Sequence, residues 1–346
     1  MLDERKLKVL YAIINSYILS AEPIGSRTIT KHYDLGVSSA TIRNEMSDLE
    51  ELGLLNKPHS SAGRIPSDKA YRLYVNWILN QDPMTQDEGK KEKIKQILIN
   101  ESKEIDQLLQ TSAKVLSEIT NYTSLAISPQ FKNSKVKHVQ LVTIDMRQIL
   151  FIVVNNSDIV KNAIFKLDKP VSNNTLNTLS NFLNSKLKGL SFEEIGKAFN
   201  SDDFKELIDY RQIINELIPI FNKSLDNNEN VELFSEGITR ILNFPEYKDI
   251  DKAKSIISFI EEKDLLLELL LTNSYKQDVS ITIGNENQHS QLKDSSIITA
   301  TYSIGGMTIG KIGVIGPTRM DYLKLINTLR LFSTNITEIL DMLIGK

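Results

Sequence analysis

The chain has 346 residues, of which 41% are hydrophobic, with a formal net charge of −3 at pH 7 and no cysteine. This length suits two or three domains with sizeable cores, while the near-neutral charge argues against a general nucleic-acid coat. The lack of cysteine excludes disulfides, thiol catalysis and cysteine-zinc sites.

The first two predicted helices have the pattern of the start of a helix-turn-helix. A helix over residues 3–20 carries an apolar stripe at helical spacing, formed by Leu7, Leu10, Ile14 and Ile18. In the segment EPIGSRTITKHYDLG, Pro23 and Gly25 break the chain before a short helix over residues 27–33, and a turn follows at residues 34–36.

The next segment, VSSATIRNEMSDLEELG, has the pattern of a recognition helix. Ser38 and Ser39 are good N-caps and Gly53 supplies the stop. One face is expected to lie in the core, with Ile42, Met46, Leu49 and Leu52. The opposite face carries small, polar or cationic residues: Ala40, Arg43, Asn44 and Ser47, with Thr41 at its flank. Such a face can enter a major groove, where Arg pairs with guanine and Asn with adenine, while the N-terminal serines suit a phosphate.

A short hairpin, or wing, is predicted directly after this helix. Leu54 and Leu55 begin a strand, residues 57–64 form the tip, and Ile65-Pro66 make the return. Between Asn56 and Pro66 there are two cations, one histidine and no acid, so the tip could follow a phosphate backbone or place Arg64 in a minor groove. The predicted DNA-binding residues are Arg27, Ser38, Ser39, Thr41, Arg43, Asn44, Ser47, Lys57, His59, Ser60, Ser61 and Arg64.

Helix-turn-helix patterns also occur in protein-interaction modules, and a serine-rich loop with one arginine is often only a solvated loop. The wing beside the helix favours a DNA reader, because winged folds place both elements on one surface.

After the wing, residues 67–79 are predicted to form a helix whose aromatic residues Tyr71, Tyr74 and Trp77 bury against the winged domain. Residues 81–93 contain Pro and Gly and lose apolar periodicity, which is typical of a linker. One long amphipathic helix is predicted over residues 94–122.

The remainder of the chain is predicted to be α+β. Three apolar runs within residues 137–169 indicate a three-stranded antiparallel meander, followed by helices at 174–187, 191–199 and 203–224. Beyond these elements, we predict helices at 233–242 and 251–271 and a strand at 278–283. A hairpin of residues 297–303 and 307–315 around Gly305-Gly306 and a final helix at 320–344 follow.

The sequence has no pattern typical of an enzyme active site or of a metal site. The four histidines are scattered, and Gly310-Lys311 is followed by Ile312 rather than by the hydroxyl of a P-loop. No catalytic residue, metal site or cofactor is therefore predicted. No stretch approaches the roughly 18 apolar residues of a membrane span and no signal peptide is visible, so we expect a cytoplasmic protein without a membrane partner.

Several segments along the chain resemble HrcA, the bacterial repressor family of class I heat-shock genes. They are EPIGSRTI, VSSATIRNEM followed by LEELGLL, PHSSAGRIPS, AYRLYV, ITIGNEN at residues 281–287 and GKIGVIGPTRMDY at residues 310–322. The last segment is the most specific to the family, because the helix-turn-helix alone also resembles GntR-type regulators.

The resemblance implies a domain organisation and a set of partners. The implied domains are a winged helix (1–80), a linker (81–93), a GAF-like domain in two segments (94–136 and 228–346) and an inserted dimerising domain (137–227). The implied activity is that of a homodimeric repressor on the CIRCE inverted repeat ahead of chaperone operons, relieved on heat stress, with a GroEL-type chaperonin keeping the repressor active.

Two other functional classes stay open at this point. A GntR-like, effector-gated regulator would bind a small metabolite in its C-terminal domain and change DNA affinity through a coupling free energy. A purely protein-binding adaptor would show no nucleic-acid phenotype when Arg43 or Arg64 is replaced.

Overall fold

A computed structural model describes residues 2–59, 62–81, 88–102, 104–128, 135–155, 160–199, 210–225, 231–272, 278–304 and 307–344. The chain is α+β and divides into two compact units. The first comprises Met1–Ser128, Leu233–Ser303 and Gly310–Ile339, and the second comprises Pro129–Glu232, Ile304–Ile309 and Leu340–Lys346. Within the described ranges, none of the helices combines the length and apolar character needed to cross a membrane.

The N-terminal part of the first unit is a winged helix-turn-helix, as predicted. Its elements are α1 (Glu4–Ser20), α2 (Ser26–His32), α3 (Ser39–Glu51), β1 (Leu55–Asn56), β2 (Ile65–Pro66) and α4 (Asp68–Leu79). β1 and β2 pair antiparallel. The side chains of Asp3, Ser38 and Ser67 each accept a backbone N–H and cap α1, α3 and α4. Local capping chemistry therefore sets the helix starts that the sequence indicated.

Two apolar residues of this domain lie differently from the prediction. Leu52, expected in the core, is 44% exposed because α3 ends one residue earlier, and Gly53 with φ +70° turns the chain. Trp77 is 42% exposed and stacks on Tyr74 with ring centroids 5.9 Å apart, so only Tyr71 and Tyr74 of the three aromatic residues are buried.

The region after the winged domain contains two helices where one was predicted. α5 (Glu88–Glu101) covers the last part of the expected linker, and α6 (Ile105–Thr120) starts after Glu104, whose φ of −131° and ψ of 160° are extended. α6 ends at Asn121 in the left-handed region, and β3 (Thr123–Ile127) follows. The sequence prediction missed β3, because its five residues are all buried and show no alternation.

A five-stranded sheet forms the centre of the first unit. Its order is β7 (Leu233–Glu236), β3, β10 (Met307–Pro317), β9 (Ser295–Ile304) and β8 (Val279–Ile283). β3 pairs antiparallel with both neighbours, and Ala126 faces Phe234 on one side and Ile312 on the other. The turn at Gly305-Gly306 lies outside the described residues.

The helices of this part correct two further predictions. Residues 233–242, predicted as a helix, form β7 and a 3-10 helix (Ile238–Asn243), because Gly237 with φ +70° changes the chain direction between them. The helix predicted at 251–271 is divided into α10 (Ile250–Glu261) and α11 (Lys263–Thr272) at Glu262, whose ψ is 84°. The last helix, α12, spans Tyr322–Ile344.

The second unit contains the predicted meander. β4 (Val136–Thr143), β5 (Gln148–Asn155) and β6 (Val160–Lys166) pair antiparallel in this order, and α7 (Asn173–Leu187), α8 (Phe192–Ala198) and α9 (Arg211–Leu225) follow. Part of the helix predicted at 203–224 lies outside the described residues. Asn184 of α7 accepts from Val139 N at 2.8 Å and donates to Val139 O at 2.6 Å, which ties the helix to β4.

Candidate nucleic-acid interface

The start of α3 is organised by hydroxyl groups. Ser38 Oγ accepts from Thr41 N at 3.2 Å and lies 3.0 Å from Thr41 Oγ1. Ser39 Oγ lies 3.0 Å from Ser26 Oγ at the start of α2, so this pair joins the N-termini of both helices. Ser39 thus links α2 to α3, whereas Ser38 and Thr41 form the cap of α3 itself, and the helix N-terminus keeps the positive end of its dipole.

One face of α3 is exposed along its length and agrees with the face that helical periodicity predicted. Arg43, Asn44 and Ser47 are exposed, whereas Ile42 and Leu49 on the opposite side are fully buried. The exposed face presents one guanidinium, one amide and one hydroxyl, which are side-chain types that pair with base edges. Arg27, on α2, is also exposed.

Three of the four acidic residues of α3 pair with cations of α1 or of the wing. Glu45 is only 4% exposed, and its carboxylate lies 2.6 Å from Arg5 Nη2 and 3.1 Å from Lys6 Nζ. Lys6 also pairs with Asp48 at 3.2 Å, and its hydrogen bonds to Glu45 and Asp48 raise its pKa. These ion pairs offset part of the negative charge of α3. Sequence reasoning missed them, because Arg5 and Lys6 lie far from α3 along the chain.

The wing is tied to the rest of the domain through Arg64. Its backbone forms two 2.8 Å hydrogen bonds with Ile24, and its guanidinium lies 2.6 Å from Glu50 Oε2. A Cβ on the adjacent Gly63 would lie 2.5 Å from Ile24 O, so glycine permits this close approach. The Arg64 side chain is 19% exposed and would have to leave Glu50 before it could reach a phosphate or a groove.

The other predicted wing residues divide into two groups. Lys57 and His59 are exposed on the wing. Ser60 and Ser61 lie outside the described residues. Of the described wing residues predicted to contact DNA, Lys57 and His59 are therefore the exposed ones, whereas Arg64 is partly buried.

The C-terminal part of the first unit contains a small cavity. Its volume is about 80 Å³, and it is lined by Glu268, Leu269, Thr282, Glu286, Asn287, Gln288 and His289. Small-molecule sites usually measure roughly 300 Å³ or more, so this cavity does not supply the volume of a metabolite site. Over the described ranges, no three His, Asp or Glu side chains are grouped to hold a metal ion.

Comparison with known proteins adds independent evidence. Residues 1–77 match the family described as "Winged helix-turn-helix transcription repressor, HrcA DNA-binding", and residues 106–326 match "HrcA protein C terminal domain". The heat-inducible transcription repressor HrcA of Alkaliphilus metalliredigens is 42% identical over 339 residues, with 98% of each chain covered. That of Ruminiclostridium cellulolyticum is 44% identical over 348 residues, with 99% of each chain covered.

A solved structure supports the fold. A crystal structure described as that of a hypothetical protein superposes with a TM-score of 0.59 over 99% of both chains, at 21% identity. The exposed face of α3 and the two family matches, which leave only short segments of the chain uncovered, agree with this fold. The chain belongs to the HrcA family of winged helix-turn-helix transcription repressors.

Proposed function

We propose that the protein represses class I heat-shock operons as a homodimer, with each winged domain reading one arm of the CIRCE inverted repeat. Bound repressor blocks the start of transcription, and its occupancy of the site is the switch. The assignment is to a repressor family, which is not an enzyme class. We place its action on DNA in the cytoplasm.

The exposed face of α3 is the observation that carries this proposal. We assign Arg43 and Asn44 to base edges and Ser47 to the same groove. Lys57, His59 and Arg27 are exposed and suit phosphate contacts, and the first turn of α3 behind Ser38 and Ser39 suits a further phosphate. Ser60 and Ser61 are assigned to phosphate from the sequence alone, and Arg64 anchors the wing through Glu50.

The modest number of cations on this face supports the proposed dimer. Few phosphate contacts give weak non-specific binding, so useful occupancy requires two half-sites held by one dimer. The three-stranded sheet of the second unit supports an interface of its own. Val142, Leu150 and Ile164 are in register across β4, β5 and β6, and Val142 and Ile164 are 40% and 62% exposed. An exposed apolar row of this kind is typical of an interaction surface.

We therefore assign residues 137–227 to a dimerising insert and residues 94–136 and 228–346 to a GAF-like domain. The pairing of β3 with β7 and β10 supports this division, since the two chain segments contribute strands to one sheet.

In this proposal, heat and the chaperonin change DNA occupancy by changing the fraction of the repressor that is folded. Domains are marginally stable, and a loss of 1.4 kcal/mol changes the ratio of folded to unfolded protein about tenfold. A GroEL-type chaperonin occupied by other unfolded proteins would no longer restore the active repressor, and the chaperone operons would be expressed until folding capacity recovers.

Fluorescence anisotropy with a labelled CIRCE-type repeat and a scrambled duplex tests the proposal, at two salt concentrations and with and without chaperonin. We expect a preference for the repeat of roughly a thousandfold or more. Arg43→Ala should cost about 1 to 3 kcal/mol on the repeat and relax base choice, whereas Lys57→Ala should weaken all sequences alike and flatten the salt slope. Equal, weak binding of both duplexes by folded dimer would reject the proposal.

A further inference from the structure

The segments ITIGNEN and GPTRMDY, which the DNA-reading face does not use, lie against the winged domain. We call Ile281, Asn285, Glu286, Arg319 and Tyr322 the docking surface. They belong to the same compact unit as the winged domain and contact α1 and α4. The contacts are mostly hydrogen bonds between charged or polar groups, which depend on direction as well as distance.

The first turn of α4 makes the first contact through Asp68. Asp68 Oδ2 accepts from Asn285 N at 2.9 Å and from Asn285 Nδ2 at 2.8 Å. The preceding residue, Gly284, has φ +51°, and a Cβ there would lie within 2.3 Å of the Asp68 carboxylate. The glycine thus provides both the left-handed backbone and the space that the carboxylate occupies.

One turn further along α4, Arg72 makes the second contact. Its Nε donates to Glu286 Oε1 at 2.7 Å, and its Nη2 donates to Glu286 Oε2 and, at 2.7 Å, to Ile281 O. Glu286 Oε2 also accepts from Ile283 N at 2.8 Å, so the carboxylate cannot turn freely. A bidentate pair held in this way fixes an angle between α4 and the strand β8.

A third contact holds the winged domain from α1. Arg319, which is 9% exposed, donates from Nη1 to Ile18 O at 2.9 Å and forms an ion pair with Glu246. The rings of Tyr71, on α4, and Tyr322 also pack, with centroids 5.7 Å apart. The contacts from α1 and from α4 together restrain rotation about more than one axis.

Two hydrogen bonds connect α4, which contacts the docking surface, to the recognition helix α3. Ser67 Oγ donates to Gly53 O at 2.8 Å, and Lys69 Nζ donates to Leu52 O at 3.0 Å, so the first turn of α4 touches the end of α3. A second connection runs through α1, whose Arg5 and Lys6 pair with Glu45 of α3. The orientation of α3 is therefore coupled to that of the docking surface.

We propose that Asp68 and Arg72, through Asn285 and Glu286, are positioning residues that set the half-site spacing which the repressor accepts. This inference rests on the proposed dimer. Each base pair added between two half-sites moves one of them by about 3.4 Å and rotates it by roughly 35° about the DNA axis. A recognition helix fixed to the body cannot follow that change unless the docking contacts break, whereas a released winged domain can follow it.

The test uses full-length protein and a set of duplexes in which the spacer between the two arms is shortened or lengthened in steps of one base pair, together with a single-arm duplex. The variants are Arg72→Gln and Glu286→Gln, with Arg330→Gln as the matched control. Arg330 pairs with Asp278 at 2.8 Å and belongs to neither the docking surface nor the winged domain. Circular dichroism and gel filtration check that each variant is folded and dimeric.

We expect the wild type and Arg330→Gln to lose at least about tenfold in affinity when the spacer changes by two base pairs, a rotation of roughly 70°. Arg72→Gln and Glu286→Gln should keep single-arm affinity within about twofold and flatten the spacing profile to within about threefold.

An equally sharp profile in the wild type and in folded Arg72→Gln would overturn the role of the docking surface and leave the dimeric reader intact. A fall in single-arm affinity parallel to the fall on the repeat would also overturn it, since it would mean that the substitution damages α3 itself. A wild type that binds the repeat no better than a single arm would refute the dimeric reader, and the spacing role with it.

Discussion

Replacement of Glu45 by alanine should destabilise the recognition helix while leaving its DNA-contacting face chemically unchanged. The carboxylate is buried and holds both Arg5 and Lys6, so its removal takes away two charge-assisted contacts between α3 and α1. Hydrogen bonds to charged groups contribute about 1.5 to 3 kcal/mol each. Arg5 is 52% exposed and regains water, and Lys6 keeps Asp48, so we expect a net loss of about 2 kcal/mol.

Hydrogen exchange of the full-length protein measures this loss locally, because a chain of several domains does not unfold in one step. A loss of about 2 kcal/mol corresponds to roughly 30-fold faster hydrogen exchange of the α3 amides. Glu51→Ala is the control: it removes the same charge from an exposed position of the same helix. Its exchange should stay near that of the wild type, whereas Glu45→Gln should lie between the wild type and Glu45→Ala.

DNA affinity separates this explanation from a purely electrostatic one. If Glu45 acted only as a negative charge near DNA, Glu45→Ala and Glu51→Ala would both bind more tightly. We expect Glu51→Ala to bind slightly more tightly and Glu45→Ala more weakly. Unchanged α3 exchange in Glu45→Ala, together with tighter binding, would refute the stabilising role of the buried carboxylate.

Three further substitutions follow from single contacts. Gly63→Ala should lower DNA affinity by about 1 to 3 kcal/mol in an anisotropy titration, because its Cβ would clash with Ile24 O and displace the wing. Ser67→Ala should cost about 1 to 2 kcal/mol in hydrogen exchange of the α4 amides, since it removes the cap of α4 and the bond to Gly53 O. Lys311 is 1% exposed, and burial lowers its pKa to about 8. The unfolded state then binds more protons between pH 8 and 10.5, so the free energy for opening the sheet around β10 should rise by about 2 kcal/mol from pH 7 to 9.5. Hydrogen exchange of the β10 amides, corrected for the intrinsic effect of pH, should show this rise in the wild type and not in Lys311→Met.

The elements that sequence reasoning predicted correctly are those with local signals. The caps Ser38 and Ser67, the stop at Gly53 and the apolar spacing of α3 lie within or beside the elements they define. β3 has no such signal: its stability comes from pairing with strands far along the chain, Leu233–Glu236 and Met307–Pro317. Short strands of this kind depend on tertiary context more than on propensity.

The candidate interface shows the same division between local and long-range information. Helical periodicity was sufficient to place Arg43, Asn44 and Ser47 on one exposed face. It could not show that Glu50 holds Arg64, or that Arg5 and Lys6 hold Glu45, because those pairs depend on how the helices and the wing pack. The choice of base or phosphate for each of these side chains is set by the shape and position of the bound duplex.

The position of β3 between β7 and β10 affects how the repressor folds while the ribosome is still synthesising it. β3 leaves the ribosome long before either of its partner strands, β7 and β10, has been synthesised. All elements of the winged domain are present once Leu79 has been synthesised, so this domain can fold early, whereas Asn285, Glu286 and Arg319 arrive only near the end of translation. A chain that stops before Met307 therefore carries a folded DNA-reading head, an unpaired edge of β3 and an incomplete body to hold that head.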